Sequence, residues 1–331
     1  MAVSIKDIQK LREMTGAGLA DCKKALEESN GELEPAIEII RKKGQAVAAK
    51  RSDREASEGC VVVKADGNFA AIIALKCETD FVANNADFVK LTQDILDAAV
   101  AARCHTLDEV KALPMGDGTI ADAVVARSGI TGEKMELDGY CVVEGDCIAT
   151  YDHQGKHTLC TLVAFNKALE DATVGKNVAM QIASASPVAI DETSVPQEVK
   201  DSELRVAIEK TKEEQIAKAV EAAIRKTGVN PAHVDSEDHI ESNMAKGWIT
   251  AEQAAMVREI KEKVAAEKAA NMPEQMIQNI AQGRLKKFFK ENCLLEQEFI
   301  WDKNQTVAQY LHSVDKELTV VAFKRFTLRA E

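Results

Sequence analysis

Five residues whose types could hold a metal or drive thiol chemistry lie close together in this chain: Cys141, Cys147, His153, His157 and Cys160. Their spacing matches no common zinc-ligand pattern, no C-x-x-C pair occurs, and strand alternation would point His157 and Cys160 to opposite faces. No metal is therefore expected. Gly16-Ala17-Gly18 opens like a dinucleotide fingerprint, but it follows a helical pattern and lacks the third glycine. Phosphate-binding G-x-x-x-x-G-K-[ST] loops, G-x-S-x-G elbows and H-E-x-x-H pairs are missing from the sequence. The histidines are scattered, and carboxylate pairs such as Glu27/Glu28 fall on solvated helix faces. These residues support neither an enzyme nor a cofactor site, and the weight shifts to binding.

A different stretch invites attention on those terms. "KCETDFVANNADFV" (76–89) ends an apolar strand pattern and begins a helical one. Aromatics make up only 4% of the chain, yet Phe81 is spent at this polar junction, between Thr79-Asp80 and Asn84-Asn85. A ring there serves one of two ends. It can staple its own helix by packing on Asn85 or Phe88, with Asp80 as a cap, or it can be presented to another protein.

Composition narrows the partner. With 331 residues, 46% of them hydrophobic, the chain can bury a sizeable core in two or three domains. It has no apolar run near the ~18–20 residues of a membrane span. Its start, "MAVSIKDIQKL", resembles neither a secretory signal nor an organellar presequence. Cysteines set in apolar runs suit a reducing cytoplasm, the expected location. A net charge of −12 argues against nucleic acid. Residues 1–54 carry 11 Lys/Arg against 9 Asp/Glu, a net of +2, which leaves −14 on the remainder. A mildly basic head on an acidic body suits oriented docking on a protein.

The elements that must position these residues follow from periodicity. Residues 1–44 read as three short helices, with Ile5, Ile8 and Leu11, then Leu19, Cys22 and Leu26, then Leu33, Ile37 and Ile40 facing inward. Residues 45–58 read as a linker. Over 59–138, "CVVVK" and "FAAIIALKC" form a hairpin about Asp66-Gly67, and a helix carrying Phe88, Leu91, Ile95, Leu96 and Ala99 follows. A shorter helix is expected around 120–127. Over 139–196 joined to 273–331, "YCVVEG", "CIATYDH" and "HTLCTLVAF" read as a second meander handing over to a helix at 175–185. The pattern then continues through a helix at 274–290 to a closing strand, "LTVVAFKRFTL". The repeated order of strands, polar junction and helix suggests a weak internal duplication. Residues 197–272 read as a projecting antiparallel helical hairpin, with Thr250 and Gln253 at capping-box spacing. Its Ala-rich seam suits packing within one chain or self-association alike. The fold class is α+β: a three-helix module, two related subdomains with antiparallel sheets, and an inserted hairpin.

"LREMTGAGLADCKKALEESNG" (11–31) and "ETDFVA" (78–83), with "AMQIASASP" (179–187), "GRLKKFFKE" (283–291) and "LLEQEFI…TVAQYL", resemble the elongation factor Ts family. These are guanine-nucleotide exchange factors for bacterial elongation factor Tu. The likeness covers nearly the whole chain apart from the extended hairpin. It implies that the N-terminal module is similar to ubiquitin-associated (UBA) domains. It also implies that Thr79, Asp80, Phe81 and Val82 enter the partner's nucleotide domain and disturb the elements that hold its magnesium ion. Arg12 and Gly18, Leu19 and Ala20 match a second contact with that domain, and His153 a contact with a β domain. Family members often carry bulkier residues near 19 and 20, so Leu19-Ala20 implies a weaker contact here. Longer members continue into a helical tail, whereas this sequence ends at Glu331, so that tail's contact is expected to be absent or supplied otherwise. A UBA-like, peptide-binding adaptor without exchange activity is the alternative reading.

Overall fold

The computed structural model describes residues 3–328. By packing, residues 3–190 with 297–328 form one unit and residues 191–296 another.

The first unit opens with helices α1 (Ile5–Thr15), α2 (Leu19–Glu28) and α3 (Leu33–Lys50). Ser4 caps α1 by accepting the Asp7 N–H, and Gly16 ends it at φ 68, a left-handed value that suits glycine. Leu11, Ala17, Cys22, Ala25, Leu26 and Ala36 form the buried core, with Ile8, Leu33, Ile37 and Ile40 packed around it. Two residues placed on the apolar stripe by spacing lie outside it. Ile5 and Leu19 are exposed, because each starts its helix where the stripe overruns this small core.

Helix α3 runs six residues past the expected end at 44, and its second half has a packing role. Gly44 crosses Gly129 of α7 (Ile120–Thr131) so closely that a Cβ on Gly129 would stand 2.4 Å from the Gly44 Cα. Gly129→Ala must therefore force the helices apart, at a cost of about 1–3 kcal/mol. Gly283, with open space around it inside a helix, provides the contrast. Gly283→Ala should stabilise by about 0.4–1 kcal/mol through the unfolded chain. Urea denaturation midpoints for the two variants should move in opposite directions.

Strands β1 (Glu58–Asp66) and β2 (Phe69–Cys77) form an antiparallel hairpin about Gly67-Asn68. The positive φ falls on Gly67, the first loop residue. Next come α4 (Asp80–Ala83), α5 (Ala86–Ala101), α6 (Leu107–Ala112), a small ladder of β3 (Pro114–Met115) with β4 (Gly118–Thr119), and α7. Strand β5 (Glu136–Glu144) then returns to the free side of β2, giving a sheet of order β1-β2-β5. This corrects the sequence reading, which put "YCVVEG" in the second meander. Gly145-Asp146 resembles a hairpin turn but instead carries the chain from one sheet to the next.

The second sheet has order β10-β7-β6, from β6 (Cys147–Asp152), β7 (Leu159–Phe165) and, much later, β10 (Val320–Thr327). With β5 reassigned, the two halves match. Each is a hairpin followed by a helix, α5 or α8 (Ala172–Ala185), then an excursion, then a third strand beside the second. Burial explains why β2 reads as an unbroken apolar run. Phe69, Ala71, Ile73 and Leu75 face α5, in a cluster with Phe88, Ile95, Leu96 and Ala99. Ala70, Ile72 and Ala74 face Cys160, Leu162 and Ala164 of the second sheet. A strand covered on both faces loses its alternation. Gly139 (φ 63) leaves room on β5 for the Phe326 ring, which a Cβ would meet at 2.3 Å.

The second unit contains α9 (Gln197–Lys226), α10 (Glu237–Ala245), α11 (Ala251–Ala270) and α12 (Glu274–Asn292). The Thr250–Gln253 capping box forms in both directions. Ile224, Val229, Val234, Ile240, Ile249, Ala254 and Val257 make its core. Two details differ from the periodicity. The buried line on α11 starts at Ala254 and Val257, leaving Met256 exposed. Helix α12, expected with the globular pattern, packs along α9, where Arg284 pairs with Glu214 at 2.6 Å.

The first unit closes with β8 (Glu298–Phe299), β9 (Asp302–Thr306), α13 (Val307–Val314) and β10.

Candidate partner-binding site

The stretch from Cys77 to Asn85 is a single turn of helix suspended between anchors. Helix α4 is four residues long, and its own bonds are Ala83 N–H to the Thr79 carbonyl (3.1 Å) and Asn84 N–H to the Asp80 carbonyl (2.9 Å). So short a helix has no intrinsic stability, because nucleation costs more than one or two bonds return. Its inner side supplies part of the hold: Ala83 is buried, and Val82 packs against the cluster around Phe88. Its outer side presents Asp80 and Phe81, and Phe81 is 86% exposed.

That exposure argues against the staple. Phe88, where a staple would pack, is itself 0% exposed inside the core. Asp80 is likewise not a cap. Thr79 occupies the N-cap position with extended backbone (φ −129, ψ 153), without a capping bond from its side chain. The following helix, α5, is capped by Asn85, whose Oδ1 accepts from Asp87 N–H (2.9 Å) and Phe88 N–H (3.4 Å).

The base of the turn is clasped by two acids. Glu133 Oε2 accepts the N–H groups of Glu78 and Thr79, both at 3.1 Å, and Oε1 accepts the Thr79 hydroxyl at 2.7 Å. Glu78 in turn accepts the Lys134 N–H at 2.6 Å and two bonds from Arg51 Nη1 at 2.8 and 2.9 Å. The Lys134 N–H, then the Arg51 guanidinium, hold the Glu78 carboxyl below the usual carboxylate range. Burial pushes the Cys77 thiol up to about 12, so it stays protonated and donates to the Thr79 carbonyl at 3.2 Å. Sequence reasoning missed Glu133, Arg51 and Lys134. The contacts span 27 to 56 residues, and no local spacing announces them.

Arg12, Gly18, Leu19 and Ala20 lie exposed around the end of α1 and the start of α2. Leu19 is about half exposed at 52%, while Ala17 between the two glycines is buried and pins the loop. A Cβ on Gly16 would meet Ile130 of α7 at 3.2 Å. His153 is partly buried on the turn after β6, with its Nδ1 3.2 Å from the Tyr151 hydroxyl. The five Cys and His residues do not meet at one point, although Cys141 packs against the cluster that holds Cys160. His157 Nδ1 pairs with Asp152 at 2.6 Å, and Cys160 is buried between the sheets, where it donates to the Val61 carbonyl. Cys141 and Cys147 are partly buried on β5 and β6. Among the described residues, no three His, Cys, Asp or Glu side chains converge as a metal-ligand set. No described helix is long and apolar enough to cross a membrane.

The site is thus an aromatic ring held in water beside an acid, on a short turn anchored from beneath. A sequence model of the family described as "Elongation factor TS" matches residues 78–230 and 215–330, and the chain belongs to that family. It is 67% identical over 331 residues to a protein named Elongation factor Ts from Parabacteroides distasonis, with all of both chains covered. Proteins of the same name from Porphyromonas gingivalis and Azobacteroides pseudotrichonymphae are 46% and 34% identical, again over all of both chains.

Proposed function

We infer that this chain is a guanine-nucleotide exchange factor in translation elongation. It binds elongation factor Tu carrying GDP, disturbs the magnesium site with Asp80-Phe81, and promotes GDP release. The observation that carries this reading is the exposed Phe81 on an anchored helical turn, in a chain of the elongation factor Ts family. Exchange is a coupling problem: a factor that binds the empty partner more tightly than the loaded one weakens nucleotide binding by the same free energy. Magnesium is an efficient target, since it demands near-ideal octahedral oxygen geometry and bridges protein to phosphate. A ring that moves about only two dihedrals can displace the elements carrying that ion, drawing on desolvation, which salt does not screen. No bond is made or broken, so the role is not enzymatic in the usual sense.

Arg12 and Gly18–Ala20 supply a second contact with the nucleotide domain, and His153 one with a β domain. The nucleotide-free form of the partner is the tight-binding one, the site of action is the cytoplasm, and the hairpin within 197–272 is available for self-association. The exposed Ile5, Met14 and Leu19 of the N-terminal helices also suit a peptide-binding adaptor without exchange activity. Capture from a bacterial lysate separates the two. Elongation factor Tu retained on the immobilised protein and eluted by GDP supports exchange. Retention of other proteins alone, indifferent to GDP, supports the adaptor.

A further inference from the structure

Helix α7 meets the α4 turn at both of its ends. Glu133, just past the Gly132 cap of α7, takes the Glu78 and Thr79 N–H groups and the Thr79 hydroxyl. The Glu133 backbone is itself fixed, because its carbonyl accepts from Ser128 Oγ at 2.5 Å and its N–H donates to Thr131 Oγ1 at 3.3 Å. Six residues before Glu133, Arg127 donates from Nη2 to Asn85 Oδ1 at 3.0 Å, on the oxygen that caps α5. Arg127 is largely buried, with 13% of its side chain exposed. The same helix carries Gly129 at the α3 crossing and Ile130 against Gly16.

We propose that Glu133 and Arg127 are positioning residues for exchange. The C-terminal half of α7 is a bracket that fixes the height and angle of Asp80-Phe81 and ties that turn to the N-terminal helices. The proposal rests on the exchange reading above. Its physical content is preorganisation: four residues cannot hold a helical turn unaided, and a loose turn must be ordered as the ring inserts. Insertion follows docking, so loss of the bracket lowers the maximal exchange rate, while half-saturation, set by the remaining contacts, changes little.

The test is steady-state release of fluorescent GDP from elongation factor Tu at fixed magnesium, for wild type, Glu133→Ala, Glu133→Gln, Arg127→Met and Phe81→Ala. Amide hydrogen exchange at Glu78 and Thr79 is followed in parallel. Glu133→Ala is expected to lower kcat by about tenfold with KM within about threefold, and to lose Thr79 amide protection. Glu133→Gln keeps an oxygen that accepts both N–H groups, so it should recover most of the rate. Arg127→Met should lower kcat in the same direction, and it decides the matter should Glu133→Ala not fold. Wild-type kcat in a Glu133→Ala protein that has lost amide protection overturns the bracket, and so does wild-type kcat in Arg127→Met. The two readings fail separately. Normal exchange by Phe81→Ala removes the wedge itself, whereas collapse in Phe81→Ala with normal rates in the α7 variants removes only the bracket.

Discussion

Phe81→Ala folds with a stability within about 0.5 kcal/mol of wild type and exchanges nucleotide on elongation factor Tu about a hundredfold more slowly. The first half of this expectation follows from the free chain. At 86% exposure the ring contributes almost nothing to the core, and the turn beneath it is held by Glu133, Glu78 and Asn85. The second half follows from what the ring gains on docking. Burying about 150–250 Å² of aromatic surface at about 25 cal/mol per Å² gives an upper bound of roughly 4–6 kcal/mol. A hundredfold loss is about 2.7 kcal/mol, well inside that bound. Thermal denaturation of the free variant, set beside its rate of fluorescent GDP release, reads both quantities from one preparation.

The same substitution seven positions later has the opposite signature. Phe88 is 0% exposed and packs with Ile95, Leu96, Ala99 and the α5-facing side of β2. Phe88→Ala therefore leaves a cavity at the centre of the first half, and the expected loss is about 3–5 kcal/mol. That is a large part of the roughly 5–15 kcal/mol typical of a folded protein. Urea denaturation should show a lower midpoint with an unchanged slope. Exchange by the fraction still folded should fall less than in Phe81→Ala, because the ring proposed to dock on the partner is intact. Two phenylalanines in one short segment thus separate folding from function.

The periodic signals in this chain are strong wherever one element faces one core. The spacing of Phe88, Ile95, Leu96 and Ala99 gives α5 and its buried face directly, and the Thr250/Gln253 pair gives the start of α11. The α+β class is legible in the same way. Pairing between distant strands is not. "YCVVEG" is followed by Gly145-Asp146, so local turn chemistry favours a hairpin. The strand instead pairs with β2, because its inner residues complete the first sheet while the second packs across it. Helix α12 fails for a similar reason: its sequence shows an apolar face but not which helix will meet it.

At the tip, sequence supplied the ring and the acid but not their support. Phe81 beside Asp80 stands out at once in a chain poor in aromatics. The residues flanking the turn are held by Glu133, Arg127 and Arg51, which approach from 27 to 54 positions away. The capping role that the staple alternative gives Asp80 falls to Thr79 by position and to Asn85 by hydrogen bond. Short-range rules fail here because a four-residue helix is defined by its surroundings rather than by its own sequence.

The central claim is that the Phe81 ring leaves water for the interior of its partner. A crystal structure of this protein bound to nucleotide-free elongation factor Tu tests it most directly. The account predicts the ring enclosed by the partner's nucleotide domain, against the segments that carry the magnesium ligands, with α4 and its Glu133 contacts unchanged. A ring left in solvent, or folded back toward Phe88 and away from the guanine-nucleotide pocket, would contradict it.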